Sequence, residues 1–215
     1  MAGGVRLTGW LQRPGRAWAT LAALLALGAV LAWGLPAGAL DWQPARATAQ
    51  PWRAWSAVFV HWSPLHLGVN LVAAGVVGAF GHAARVPARA ALAWLAAWPL
   101  TQLGLGWLQP ALTHYGGLSG VLHAGVVIVG LWLLVTGPAA RRTVGAAVLA
   151  GLLLKLALEQ PFGPALRHEA GWDIAVVPLA HFTGSVAGAA CAACASVPGA
   201  WHRRRPRRAL DSAPP

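Results

Sequence analysis

Acidic side chains are scarce in this chain, with five Asp and Glu among 215 residues. Charge of either sign makes up only 10% of the sequence. That excludes an ordinary soluble domain, where charged residues run at about 25%. Cysteine is nearly absent too. Cys191 and Cys194 are flanked by alanines, with no His or further Cys nearby. They imply no disulfide, and they read as small packing residues rather than a redox or metal centre. What fills the chain instead is apolar surface, at 57% hydrophobic residues.

That surface falls into six runs, at about 17–35, 64–80, 88–108, 117–135, 143–158 and 174–197. A membrane helix needs ~17–25 such residues. The fifth run is the shortest and would sit in thinned lipid or reach the interface with polar ends. No stretch remains for a soluble domain. The expected fold is therefore an all-α polytopic membrane domain over 17–197, preceded by a cytoplasmic segment 1–16 and followed by a basic cytoplasmic tail 198–215. The first run could be taken for a signal peptide, because Ala37-Gly38-Ala39 resembles a cleavage site. Its apolar stretch exceeds the usual ~7–15 residues, which favours a retained helix.

The net charge of +11 could suggest nucleic acid, but its distribution does not. Twelve of the sixteen basic residues lie before the first run, between the second and third, between the fourth and fifth, or after the sixth. The other side carries Arg46, Arg53, Lys155 and Arg167 together with Asp41, Glu159, Glu169 and Asp173. This is the positive-inside pattern of six spans with both termini in the cytoplasm. The arginine tail is expected to meet anionic lipid headgroups, and no nucleic-acid partner is expected.

Polar residues inside apolar runs are costly and point to function or to interhelical bonding. His66 and Asn70 stand four apart, on one face of the second helix, just after His61. Alone they fit a structural hydrogen-bond pair as well as a site. Trp42, Trp52 and Trp55 mark the preceding loop as an element at headgroup depth. Pro99 is expected to kink the third helix. Lys155 and Glu159 are spaced for an i,i+4 pair at the outer end of the fifth. In the sixth, His181 precedes a Gly184-x-x-x-Gly188 face suited to close helix contact.

The chain is organised around Tyr115-Gly-Gly-Leu-Ser-Gly-Val-Leu-His123. Ser119 falls in the first turn of the fourth helix, flanked by Gly117 and Gly120. Alone, these residues read as a small packing face. Context changes this: His66 and Ser119 lie about three residues into their helices and His181 about eight, which is ~4–11 Å below one surface. A serine hydroxyl needs an imidazole base to attack. Its tetrahedral intermediate needs hydrogen-bond donors. Ser119 with His181 meets the first need; His66, Asn70 and the Ser119 backbone N–H could meet the second. No acid is expected near His181 on a facing helix, so a Ser–His dyad is expected rather than a triad.

Together these motifs resemble the rhomboid intramembrane serine proteases. The resemblance spans roughly Trp52 to Gly188. It rests on Trp52-Arg53, His61…His66…Asn70, Gly117-Leu118-Ser119-Gly120, and Ala180-His181 with Gly184 and Gly188. It implies a six-helix bundle, no cofactor or metal, Ser119 as nucleophile, His181 as base, and His66 and Asn70 as oxyanion donors. It further implies transmembrane substrates with helix-destabilising segments. His123 stands where many rhomboids carry the aromatic residue that stacks on the catalytic histidine, so that contact is expected to differ. The Tyr115–His123 stretch, the compact length and Lys155-x-x-x-Glu159-Gln160 resemble the rhombosortase subgroup of bacterial enzymes. Those are associated with substrates bearing a C-terminal Gly-Gly signal, an apolar helix and a basic tail. This implies an inner-membrane protein whose site opens to the periplasm. Lys155 and Glu159 fit a structural ion pair at the interface first, and otherwise a pair that holds the Gly-Gly backbone or positions an incoming amine, since a carboxylate accepts from N–H groups and an ammonium donates to carbonyls. Two other readings compete. One is an inactive rhomboid-like protein that binds or chaperones membrane segments. The other is a small transporter or metal site using His66, His123 and His181, which the lack of acid at that depth disfavours. Substrate identity and oligomeric state are not legible from the residues.

Overall fold

The computed structural model describes Gly9 and residues 13–196. Most of the expected segment 1–16 and all of the expected tail 198–215 lie outside the described residues. Among the described residues there are six long helices and no strand: α1 Arg16–Leu31, α2 Pro64–Ala83, α3 Ala88–Leu108, α4 Ser119–Thr136, α5 Ala139–Glu159 and α6 Pro178–Ser196. By length and composition α2, α4 and α6 could each cross a membrane, and α1 is a shorter apolar helix. Large apolar side chains stand exposed around the bundle, including Leu27, Leu31, Val72, Val76, Leu92 and Leu153. Water would penalise such a surface, whereas lipid does not.

Local sequence sets most helix ends. Ser63 caps α2, its Oγ accepting from the His66 backbone N–H at 3.0 Å, and Pro64 takes the first helical position. Pro87 and Pro138 precede α3 and α5. Gln160, with φ 47°, closes α5 in the left-handed region. The fifth helix is thus 21 residues long rather than the short run expected, because Ala139–Arg142 continue it below the apolar stretch. The sixth begins at Pro178 rather than 174. Residues Ile174–Val177 read as apolar helix, but Val176 pairs in extended form with Arg167.

α4 is the centre of the bundle and packs against α2, α3, α5 and α6. α1 packs on α2 and α3. Trp18 and Trp94 stack between them with ring centroids 4.3 Å apart. Their indole N–H groups donate to the Val77 and Val121 carbonyls at 2.9 and 2.7 Å, so the rings are buried without orphaned donors. The α4–α6 crossing is the tightest. A Cβ on Gly184 would lie 1.9 Å from the Gly120 carbonyl oxygen, and one on Gly188 2.6 Å from that of Ala124. The small-residue face expected in the sixth helix therefore meets the first turns of α4.

Between α1 and α2 the chain forms short helical turns that hold the lead-in to α4. Arg53 is buried and donates to the Asp41 carboxylate at 2.9 Å, the Asp41 carbonyl at 2.8 Å and the Gly38 carbonyl at 2.9 Å. Asp41 also meets His114. Trp42 and Tyr115 exchange backbone hydrogen bonds of 2.7 and 2.9 Å, and Gly117 N–H donates to the Ala57 carbonyl at 3.0 Å. Trp52 and Trp55 are exposed, whereas Trp42 is buried beneath this pairing.

Candidate active site

Ser119 is the first residue of α4, half-buried, and the turn before it is set by Gly117. Gly117 has φ +116°, in the region that favours glycine. A Cβ there would also lie 2.7 Å from His66 Nε2 and 3.9 Å from Asn70 Nδ2. The glycine thus lets the imidazole and the amide close onto the backbone that carries Ser119. At a helix start the first N–H groups have no intrahelical partner, which leaves donors around the hydroxyl.

His66 is held from several sides. Ser63 Oγ caps its N–H and donates to Asp173 Oδ1 at 2.7 Å. Asn70 Nδ2 donates to the His66 carbonyl at 2.9 Å. The rings of His61 and Trp62 flank the imidazole at 4.7 and 6.3 Å, and Trp172 meets it edge-on at 6.3 Å. His66 Nδ1 is buried with no partner among the described residues. Burial pushes the pKa of the neighbouring His61 below the usual imidazole value, so it stands neutral at pH 7.

His181 lies three residues after Pro178, in the first turn of α6. Its hydrogen bonds run from Nδ1. Glu159 Oε2 is 2.8 Å away, and Lys155 Nζ lies at 3.4 Å while pairing with Glu159 Oε1. This corrects the expectation that no acid reaches this level. That expectation assumed a helix from 174, which would sink His181 two turns into the bundle. With the helix starting at Pro178, His181 lies level with the last residue of α5. Nε2 is left without a partner among the described residues, so Ser119 and His181 face a common cavity without a direct hydrogen bond. In unliganded sites such bonds are often long and tighten only with substrate.

His123 supplies the ring stack that its identity had put in question. It lies parallel to His181 at 12°, centroids 4.1 Å apart. Its Nδ1 lies 2.7 Å from the Ser119 carbonyl and donates to it, since a carbonyl can only accept. Gly120, Gly184 and Gly188 act through packing. A Cβ on Gly120 would lie 2.8 Å from the Ala180 carbonyl, so the glycine brings the Ser119 and His181 turns together.

The cavity these side chains line measures about 820 Å³. It also borders Val69 and Ala73 of α2, Gly151, Leu154 and Leu158 of α5, and the 166–177 segment. Two contributors were not singled out as site residues from sequence. The Tyr115 hydroxyl is buried beside Ser119 and the Gly120 backbone, and its pKa is pushed up to about 12, chiefly by burial. Those neighbours oppose the rise, yet the hydroxyl makes no hydrogen bond of good geometry among the described residues. Its position four before Ser119 was the available signal. Arg167 bonds the Glu159 carbonyl and the Glu169 carboxylate, and so straps the 166–177 segment to the end of α5.

No curated protein matches the chain. The family model for the Rhomboid domain matches residues 48–197. That interval holds the Arg53 strut, the His66–Asn70 turn, the Ser119 turn and the glycine face behind His181. It covers more than half of the chain, and this protein is therefore a member of the rhomboid family, which consists generally of intramembrane serine proteases.

Proposed function

We propose that this chain is an intramembrane serine endopeptidase with Ser119 as nucleophile and His181 as general base. The observation that carries this reading is the convergence on one cavity of a helix-start serine, an imidazole with a free Nε2, and two polar side chains closed onto Gly117. Ser119 Oγ attacks the scissile carbonyl carbon and its proton passes to His181 Nε2. His66, Asn70 and the Ser119 backbone N–H donate to the oxyanion. As the C–N bond breaks, Nε2–H protonates the leaving amine. Water, activated by the same nitrogen, then hydrolyses the acyl-enzyme, and an amine in its place gives acyl transfer.

The bundle spans the bilayer six times with both termini cytoplasmic, in a bacterial inner membrane, and its site opens to the periplasmic side. Substrates are transmembrane segments with a helix-destabilising stretch, of the rhombosortase type, where Gly-Gly precedes the apolar helix. A cavity bordered by apolar residues of α2 and α5 suits such a segment. The test is labelling by a fluorophosphonate and cleavage of a single-span reporter carrying Gly-Gly. Ser119→Ala and His181→Ala are each expected to abolish both, with the double variant no worse, because the pair acts as a unit. Near-normal cleavage by Ser119→Ala overturns the reading.

A further inference from the structure

A serine nucleophile needs the neutral imidazole in one of its two tautomers, with the proton on the nitrogen facing away. In a neutral histidine either nitrogen can carry it, and the partner of one decides the state of the other. His181 Nδ1 faces Glu159 Oε2 at 2.8 Å. An ionised carboxylate only accepts, so this contact holds the proton on Nδ1 and leaves Nε2 as the nitrogen with a free lone pair, on a ring that lines the cavity. The second carboxylate oxygen is taken by Lys155 Nζ, which also lies 3.4 Å from Nδ1. An ammonium cannot accept from Nδ1–H, so the carboxylate serves both donors. The backbone is held as well, since Arg167 Nη1 donates to the Glu159 carbonyl.

We infer that Glu159 is a positioning residue for His181, making Ser119–His181–Glu159 a three-membered unit in which Lys155 braces the carboxylate. The inference rests on the proposed roles of Ser119 and His181. Glu159 does not take the proton. It fixes the tautomer, aims the ring, and faces the imidazolium formed when Nε2 accepts from Ser119. Each of its oxygens accepts one hydrogen bond, one from Lys155 and one from His181. The charged and titratable groups around His181 are Lys155 and Glu159 from α5, His123 from α4, His66 from α2 and Arg167 from the preceding segment. α3 also packs on α6, but brings only Arg89, which lies over Trp132 at the opposite end. Among these, Glu159 alone is an acceptor within hydrogen-bond distance of Nδ1 among the described residues.

The rival account is an ion pair that merely anchors the end of α5, and the pair is open enough for this to need excluding: the Glu159 side chain is 26% exposed against 15% for His181. The full chain in detergent is treated with fluorophosphonate–rhodamine, and the maximal labelling rate of Ser119 is measured with kcat and KM for the single-span reporter. Glu159→Gln is expected to lower the labelling rate and kcat roughly 10- to 1,000-fold with KM and thermal midpoint unchanged, since an amide can donate to Nδ1 and stabilise the wrong tautomer. Glu159→Asp recovers part of the loss, and Lys155→Gln loses less than Glu159→Gln. Wild-type rates in Glu159→Gln overturn the inference while leaving the proposed nucleophile and base intact. Cleavage by Ser119→Ala or His181→Ala overturns the parent reading instead. Independently of any Glu159 variant, ¹⁵N spectra of histidine-labelled wild-type protein, assigned against His181→Gln, are expected to show His181 as the Nδ1–H tautomer. An Nε2–H tautomer overturns the inference.

Discussion

Single atoms separate a working Ser119 turn from a packed one, and substitutions at three residues read them. His123 contributes a flat ring over His181 and one hydrogen bond to the Ser119 carbonyl. His123→Phe keeps the ring and is expected to retain cleavage within about threefold, whereas His123→Ala removes both contacts and is expected to lower kcat roughly tenfold, as steady-state kinetics would report. Gly117→Ala puts a methyl 2.7 Å from His66 Nε2 at φ +116°. It is expected to cost at least ~1–3 kcal/mol in unfolding experiments and to abolish labelling of Ser119. Tyr115 is the chain's sole tyrosine, so its ionisation can be followed as the tyrosinate band in the ultraviolet. Its pKa in the folded protein is about 12, above the ordinary value near 10. The unfolded chain therefore loses this proton first. Stability is unaffected below about pH 10 and falls as pH rises toward 12, a loss that Tyr115→Phe is expected to remove.

At the scale of helices, two glycine substitutions with opposite outcomes test the packing. Gly184→Ala would place a methyl 1.9 Å from a backbone oxygen of α4, where nothing flexible can yield. It is expected to destabilise by at least ~1–3 kcal/mol and to inactivate the folded fraction, since it forces apart the turns that carry Ser119 and His181. Gly75→Ala on α2 meets nothing within 4 Å and is expected to be neutral or to stabilise by about 0.5–1 kcal/mol. Thermal unfolding in detergent checks both. The same helices show what could be read in advance. The apolar runs predicted every long helix, and Ser119, His66, Asn70 and His181 stood out because polar groups are costly in such runs. The α6 start was hidden, because Ile174-Ala175-Val176-Val177 suits a helix or an extended pair equally, and only the bridge from Val176 to Arg167 decides. The contact of Glu159 with His181 was hidden with it. The two residues are 22 apart in sequence and become level only once Pro178 sets the helix start.

The molecule as a whole is one bundle whose remote parts bear on Ser119. The buried Arg53 strut fixes Asp41, the Trp42–Tyr115 pairing follows from it, and Tyr115 leads directly to Gly117. The sequence signal for this was only a Trp-Arg pair; the partners Asp41 and Gly38 lie 12 and 15 residues away on a loop with no periodic pattern. The proposed orientation is checked by fusions at the C-terminus: a fluorescent protein is expected to glow and a phosphatase to stay inactive, as a cytoplasmic tail requires. The His123–His181 stack has a consequence at this scale as well. Two flat rings in face contact form a sliding joint: they glide along their common plane but resist being pulled apart or pushed together. His123 rides on the rod that begins with Ser119, so the gap between the proposed nucleophile and base is gauged by ring thickness more than by the tilt of α6. Turnover should therefore vary little between bilayers of short and long acyl chains, and the His123→Ala variant, with no joint left, should become sensitive to the thickness of its membrane.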